Sequence, residues 1–360
     1  MIEGELIYPE ILDDVAKQLD LGDAFEVLDA AIRSAGIGSL ESKYQDLFYG
    51  INRSPNIQDL PAHRELQGLV LFTRPNLNLS YDNISPYRPL SHLLTQDVNS
   101  YQYAVKALLD PTSARRNPIK SDLVDSANPY ITILTNTIQT LSPPPDIGIN
   151  VYNSPEGMMK EVWIMNDSIA EYNGRYDLTA TFNNFKGNAV LLLFHTWLLY
   201  MGYLRSVRSF SPHPQQRMDN EMDYFTRIER LKFDISGRYV EQWYHTGASF
   251  PTNISIGAGF SYSREEAGEM ENKQISVQFA CVGAVYNDPI QLFEFNKRVE
   301  AWNPLMKDDV RPAHYVKVPH DLVGVANFHG YPRINLARNN EMEWWVTPEE
   351  LSKFEKGVGR

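Results

Sequence analysis

Cysteine is almost absent from this chain: Cys281 is the single one in 360 residues. A lone thiol excludes a disulfide within the chain and a metal site built from several cysteines. Cations are also in deficit, with 33 Lys and Arg against 45 Asp and Glu and a formal net charge of −12. That balance argues against a sequence-reading nucleic-acid binder, which clusters Lys and Arg against phosphates. It leaves room for DNA that slides past without sticking. The start, Met1-Ile2-Glu3-Gly4-Glu5, lacks the basic stretch and apolar run of a signal peptide, so synthesis in the cytosol is expected. The run from Ala189 to Leu204 is interrupted by His195, Thr196 and Gly202. At about sixteen residues it falls short of the roughly twenty that a membrane span needs, and it is read as a buried core helix. No membrane partner is expected.

Catalytic patterns are lacking as well. None of the eight histidines stands in an HExxH pair. His314 and His320, six apart in a proline-bounded stretch, are read as surface or interface residues. No serine sits in a GxSxG elbow. Gly257-Ala258-Gly259 has neither the third glycine, nor the lysine, nor the following helix of a phosphate loop, and reads as a strand with small residues. Cys281, on an alternating strand face, is read as a small apolar core residue. Glu265, Glu266, Glu269 and Glu271 form a dense acidic run, read as a solvated hairpin loop or a charged subunit contact in preference to a glycosidase pair. No catalytic residue, cofactor or metal site is assigned, and the chain is expected not to be an enzyme.

What is present is a change of pattern along the chain. Pro9 to Leu19 carries apolar residues at helical spacing. A second helix follows Asp23 as N-cap, with Glu26 completing a capping box and Gly36 as the stop. Gly68 to Thr73 reads as a strand. Gln96 to Leu109 reads as a helix, and another is expected from Asn128 and Pro129 to about Leu141. Pro143-Pro144-Pro145 then marks a boundary. Beyond it Met158 to Met165 reads as a strand. From Arg175 to Asn183 the period is two, with Tyr176, Leu178, Ala180 and Phe182 on one face. The 189–204 helix follows, with Asn188 as expected N-cap and Arg205 and Arg208 past its end. It is apolar nearly all round and must be covered from several sides.

Three alternating strands come next: Leu231, Phe233 and Ile235; Ile254 to Tyr262; and Ile275 to Val285. The acidic run links the last two as a long hairpin. A helix starts at Asp288 and Pro289 and runs to about Trp302. This order favours an antiparallel α+β fold over a doubly wound parallel sheet. The aromatic residues Tyr239, Trp243, Tyr244, Trp344 and Trp345 suit either core packing or a protein interface. Together with Glu265, Glu266 and Glu269 they are the candidate subunit-contact residues.

Five pieces, in this order, resemble a known family. They are the strand Tyr176-Asp177-Leu178-Thr179-Ala180-Thr181-Phe182, the helix Val190 to Tyr203, the strand Leu231-Lys232-Phe233-Asp234-Ile235, the stretch Gly247-Ala248-Ser249-Phe250-Pro251, and the hairpin of Ser255 to Tyr262 with Gln274 to Ala284. They are similar to the tail-tube-like proteins of contractile-tailed bacteriophages, especially the baseplate hub proteins that start the tube. The resemblance covers under half of the chain. It implies an antiparallel two-sheet domain with one buried helix over residues 145–302. A mainly helical region would occupy 1–144 and an irregular C-terminal arm 303–360. It also implies a ring of copies, six in that family, whose inner wall lets DNA pass, docked to other tail or baseplate proteins in a virion assembled in the host cytoplasm. The alternatives are a neck or tail-completion protein of the same fold, or a virion-associated hydrolase of cell-wall glycan. The last rests only on the supply of carboxylates and aromatics.

Overall fold

The computed structural model describes residues 66–116, 121, 123–168, 172–204, 211–219, 222–257, 274–323 and 330–358. The two helices read before Gly36, the arginines 205 and 208, the strand residues 258–262 and the acidic run lie outside these residues. The described chain falls into two compact units, one drawn from 1–68, 231–242 and 288–360 and the other from 69–230 and 243–287.

Both helices and antiparallel strands are present, and the principal sheet has six strands. They are β1 (Leu66–Phe72), β2 (Ile138–Leu141), β5 (Tyr172–Asn183), β6 (Ile228–Phe233), β7 (Val240–Ile254) and β8 (Gln274–Tyr286), in the order β1-β6-β7-β8-β5-β2. Between β2 and β5 lies a separate hairpin of β3 (Val151–Asn153) and β4 (Ile164–Asn166). The sheet is nearly closed. Thr73, just after β1, bridges Tyr130, and Ile131 N–H donates to the Phe72 carbonyl at 2.8 Å, on the stretch that leads into the opposite edge strand β2. Gly68 shows how tightly β1 lies on β6. Its φ is +68°, and a Cβ there would stand 1.8 Å from the Leu231 carbonyl oxygen, so only glycine fits.

β5 alternates as the sequence indicates, with Leu178, Ala180 and Phe182 fully buried. β8 pairs with it antiparallel, Leu178 opposite Phe279 and Ala180 opposite Val277. Their shared inner face receives α4 (Ala189–Leu204), preceded in the chain by α1 (Tyr101–Leu109), α2 (Pro111–Arg116) and α3 (Thr132–Thr137). The contact is aromatic: the Phe182 and Phe194 rings lie 5.2 Å apart, Phe194 and Phe279 5.8 Å, and Phe72 and Phe279 5.8 Å. Cover comes from several directions, as an all-round apolar helix requires. The Tyr203 ring packs tilted against that of Tyr87, centroids 4.6 Å apart, the Trp197 indole N–H donates to the Tyr224 carbonyl at 3.1 Å, and the Tyr200 hydroxyl donates to Asp223. Asn188, at φ +53°, stands in the left-handed region as the helix begins, and its carbonyl accepts from Leu192 N–H at 2.9 Å.

Three local expectations are corrected. The helix expected over 128–141 is only Thr132–Thr137, and Ile138–Leu141 becomes the edge strand β2 beside β5. The stretch Ile131-Thr132-Ile133 and Thr135, Thr137, Ile138 and Thr140 is dominated by β-branched residues, which are stiff in helices and suit a strand. Ile235 does not continue the face of Leu231 and Phe233. It is exposed in the β6–β7 turn, where the Asp234 carboxylate accepts from the backbone N–H groups of Arg238 and Tyr239, each at 3.1 Å. The described hairpin partner of β8 is β7, fifteen residues long and beginning far upstream of Ile254. β7 hides from a hydrophobic reading because its interior is partly polar. Thr246 and Ser249 are fully buried; Thr246 Oγ1 accepts from Ile228 N–H at 2.9 Å and Ser249 Oγ donates to the Thr226 carbonyl at 2.7 Å.

The smaller unit contains α5 (Pro289–Trp302), capped as expected by Asp288, whose carboxylate accepts from Ile290 N–H at 3.0 Å. The C-terminal stretch is more regular than an irregular arm. It holds β9 (Val316–Lys317), β10 (Tyr331–Asn335) and β11 (Glu341–Val346) in the order β10-β11-β9, followed by α6 (Pro348–Val358). Alternation there is legible only in β10, because the buried Glu343 interrupts the apolar run of β11. Glu343 accepts from Lys317 Nζ at 3.0 Å, Asn335 Nδ2 at 3.0 Å and Trp345 Nε1 at 3.1 Å. Burial pushes the carboxyl pKa up, but these hydrogen bonds and the Lys317 charge outweigh it and hold it below the ordinary value.

Two measurements check this account. Phe194→Ala removes the ring at the centre of the aromatic contact and is expected to cost about 3–5 kcal/mol in denaturant unfolding. Glu343 stabilises the fold only when ionised more readily than in the unfolded chain. Its contribution is therefore complete above the unfolded carboxylate value of about 4.3 and is lost as pH falls through the lower folded value. Thermal melting across that range is expected to be flatter for Glu343→Gln than for the native chain.

Candidate functional site

The outer face of the principal sheet is assembled by the same alternation that buries the inner one. Thr179 lies opposite Gln278, Thr181 opposite Ser276, and Asn183 opposite Gln274. β7 adds Thr252 and Asn253 at a register shift, and β2 adds Thr140 opposite Thr181. Thr140, Thr179, Thr252, Asn253, Gln274, Ser276 and Gln278 are exposed. All of these side chains are neutral hydroxyls or amides. Next along β5 come the exposed Asp177 and Arg175, 3.7 Å apart, with the half-exposed Val282 opposite Arg175. Among the described residues, the stretch from Thr179 to Asn183 and its partners on β8 hydrogen-bonds water and carries no cation.

The second feature is the β3–β4 hairpin. It leaves β2 through Pro143-Pro144-Pro145, whose last carbonyl accepts from the Tyr286 hydroxyl. The strands pair Val151 with Asn166, Tyr152 with Met165 and Asn153 with Ile164. Ser154 locks the ladder, its N–H donating to the Trp163 carbonyl at 2.9 Å and its hydroxyl oxygen accepting from Trp163 N–H at 2.9 Å. Near the tip, Lys160 takes φ +61° and the Glu161 carboxylate accepts from Met159 N–H at 2.8 Å.

A two-stranded hairpin standing alone is marginal in water, and this one buries almost none of its own side chains. Met158 is 99% exposed, Met159 90%, Trp163 75% and Ile164 69%. Ile147, Ile149, Val151, Tyr152, Val162 and Met165 are exposed too. Single exposed apolar residues are ordinary, but a contiguous patch of this size marks an interaction surface. Fully burying a large apolar side chain is worth roughly 1.5–3 kcal/mol, so the arm holds on the order of 10 kcal/mol of unused gross burial.

The candidate contact residues read from sequence are not gathered here. Glu265, Glu266 and Glu269 lie outside the described residues. Tyr244 is buried, its hydroxyl 2.6 Å from that of Tyr176 and its ring 5.2 Å from Tyr286. Trp344 is buried within the three-stranded sheet, opposite Pro332. Trp345 is half-buried under the Arg311 guanidinium at 4.5 Å. Tyr239 bridges Glu341, and the Trp243 N–H donates to Asn287 Oδ1 at 3.0 Å while its carbonyl accepts from Asn287 N–H at 2.9 Å; both keep part of their surface accessible. Cys281 is fully buried, and burial pushes its thiol up to about 12. The strand expected over Met158 to Met165 is corrected: β4 is only Ile164–Asn166, and Met158 and Met159 stand in the turn of the hairpin, where Gly157 and the positive φ of Lys160 break the extended run. Ile147, Ile149 and Val151 alternate, Pro155-Glu156-Gly157 supplies the turn, and Val162 and Ile164 alternate back. Alternation gives the strands but not that both faces stay uncovered.

The larger unit thus exposes a run of neutral side chains on one sheet face and apolar side chains on the arm. The chain belongs to the family described as "Putative phage tail tube protein", which matches residues 13–357. No curated protein matches. Among solved structures it is similar to the anti-feeding prophage cap, the AFP tube terminating cap, at 11% identity over 42% of this chain and 79% of that one, with a TM-score of 0.26. It is also similar to a chain of the PVC sheath-tube complex of an extracellular contractile injection system in its extended state, at 11% identity, 44% and 82% coverage and a TM-score of 0.26. A third similarity is to the PVC sheath/tube terminator in its extended state, at 9% identity, 42% and 85% coverage and a TM-score of 0.24.

The hairpin side chains touch too little of their own subunit to stabilise it. Replacing Met158, Met159 and Trp163 together by serine is expected to leave the free energy of unfolding of the isolated chain within about 0.5 kcal/mol of the native value, measured by denaturant titration.

Proposed function

We propose that this chain is a ring-forming tube-like subunit of a phage tail or baseplate, which initiates or connects the tail tube and contributes to the wall of its DNA channel. The observation that carries the proposal is the β3–β4 arm, whose apolar side chains are exposed in the single subunit. In a ring, copies cover one another's arms and the edges of neighbouring sheets, which removes surfaces that otherwise aggregate. The ring has six copies, as the resemblance implies. The neutral face of Thr179, Thr181, Ser276 and Gln278 suits the channel side, and the net charge of −12 suits DNA that must not be held. The partly accessible Tyr239, Trp243 and Trp345, with Glu265, Glu266 and Glu269 from the acidic run, are the residues proposed to contact copies or other tail proteins. Tyr244 and Trp344 support such contacts from within. No step of this role needs a catalytic group, a cofactor or a metal. The particle forms in the host cytoplasm.

Cryo-EM of tail particles carrying the labelled chain tests the reading. A closed ring of copies around the channel is expected, with the β5–β8 outer face inward. A single copy per particle overturns it. If the face lines the channel, Thr179→Lys with Gln278→Lys is expected to leave particles intact while lowering infectivity about tenfold or more, because added cations hold passing phosphates.

A further inference from the structure

Besides the hairpin, a second apolar surface of the larger unit is uncovered. The helices α1 and α3 and the start of α4 enclose an open groove of about 290 Å³. Its walls include Tyr101, Val105, Leu108, Ile133, Phe185 and Ala189. The side chains at positions 101, 105 and 108 lie one and two turns apart on one helix face. At the mouth Tyr101 is 47% exposed, Leu123 55% and Phe185 39%, although each is a large apolar residue. The walls are fixed from behind. The buried Arg74 donates Nε–H to the Leu108 carbonyl at 3.1 Å and Nη1–H to the Asp125 and Asn128 carbonyls, each at 3.2 Å. Asp110, fully buried, accepts from Leu79 N–H and Ser113 N–H, each at 2.8 Å. A groove held in this way needs little reorganisation to accept an occupant.

We propose that this groove receives the β3–β4 hairpin tip of a second copy of the chain, with Met158, Met159 and Trp163 entering it. The proposal rests on the ring reading above and names the contact that closes the ring. The groove volume is near the lower end for a specific binding pocket, about 300 Å³, so it takes the end of the tip and leaves the rest of the arm against the rim. Area fits as well. The exposed apolar residues of the arm carry on the order of 1,000 Å² of surface, and one side of a stable specific interface buries about 800 Å². Methionine is flexible and polarisable and fills irregular apolar space of this kind. Lys186, exposed next to Phe185, gives the rim a cation for Glu156 and Glu161 of the arm. A knob and a hole on different parts of one chain make a head-to-tail contact, the type that generates closed rings.

The lone native thiol is buried, so introduced cysteines report cleanly. Full-length chain carrying Met158→Cys is mixed with full-length chain carrying Leu123→Cys and treated with a short bismaleimide. A covalent dimer containing one of each is expected, at least tenfold above either variant alone. Leu123→Glu, at an exposed position, is expected to weaken assembly at least tenfold while leaving the melting temperature unchanged. Rings that form without the mixed cross-link, or that tolerate Leu123→Glu, overturn the groove contact and leave the ring reading standing. Chains that neither assemble nor cross-link at any concentration overturn both. A cross-link confined to one chain in the double variant overturns the groove contact, showing that the arm covers its own subunit.

Discussion

The structure of the larger unit depends on one contact, the Ala189–Leu204 helix against the inner face of β5 and β8. Phe194 stands between Phe182 and Phe279, and Trp197 and Tyr200 extend the contact to the 222–226 stretch. Because that helix is apolar on every side, a single sheet face does not suffice for it. The remaining cover recruits Tyr87, the helix Tyr101–Leu109 and the strand β1. The sheet is thereby drawn round, until the end of β1 meets the stretch leading to β2.

A consequence follows for the outside of the unit. With the inner face committed to the core, the alternate residues of β5 and β8 are free to be neutral and polar. Among the described residues of the larger unit, the longest run of exposed apolar side chains is the β3–β4 arm, with Tyr101, Leu123 and Phe185 at the groove beside α1 and Tyr81, Met218, Met222 and Val282 elsewhere. Polar side chains thus predominate on the outer face of β5 and β8, while the hairpin and the mouth of the groove expose apolar ones.

Much of this was legible in the sequence, and the limits are physical. The Tyr176 to Phe182 alternation, the 189–204 helix, the Ile275 to Cys281 face and the Asp288 cap all appear where their periodicity or capping residue put them. These elements obey a local rule without interruption. β7 breaks the rule, since buried Thr246 and Ser249 answer to hydrogen bonds from Ile228 and to Thr226, which a hydrophobic pattern cannot register. The 128–141 stretch departs from its expected helix because Asn128 and Pro129 make a good helix start, whereas the end of the helix is decided by pairing of Ile138–Leu141 with the distant strand β5. Among site residues, burial separates Tyr244 and Trp344 from Trp243 and Trp345, and neighbouring aromatics in a sequence carry no sign of it. The arm shows the same limit from the other side. The apolar run Met158 to Met165 reads as a strand but holds the turn and only the start of β4, and its exposure depends on what does not pack against it.

The central claim is that residues 146–168 are an arm awaiting cover by another copy. Hydrogen–deuterium exchange of that segment, compared between free chain and assembled particle, tests it most directly. The account predicts fast exchange in the free chain, held only by a short ladder, and protection of about a hundredfold or more on assembly. Equal exchange rates in the two states would contradict it.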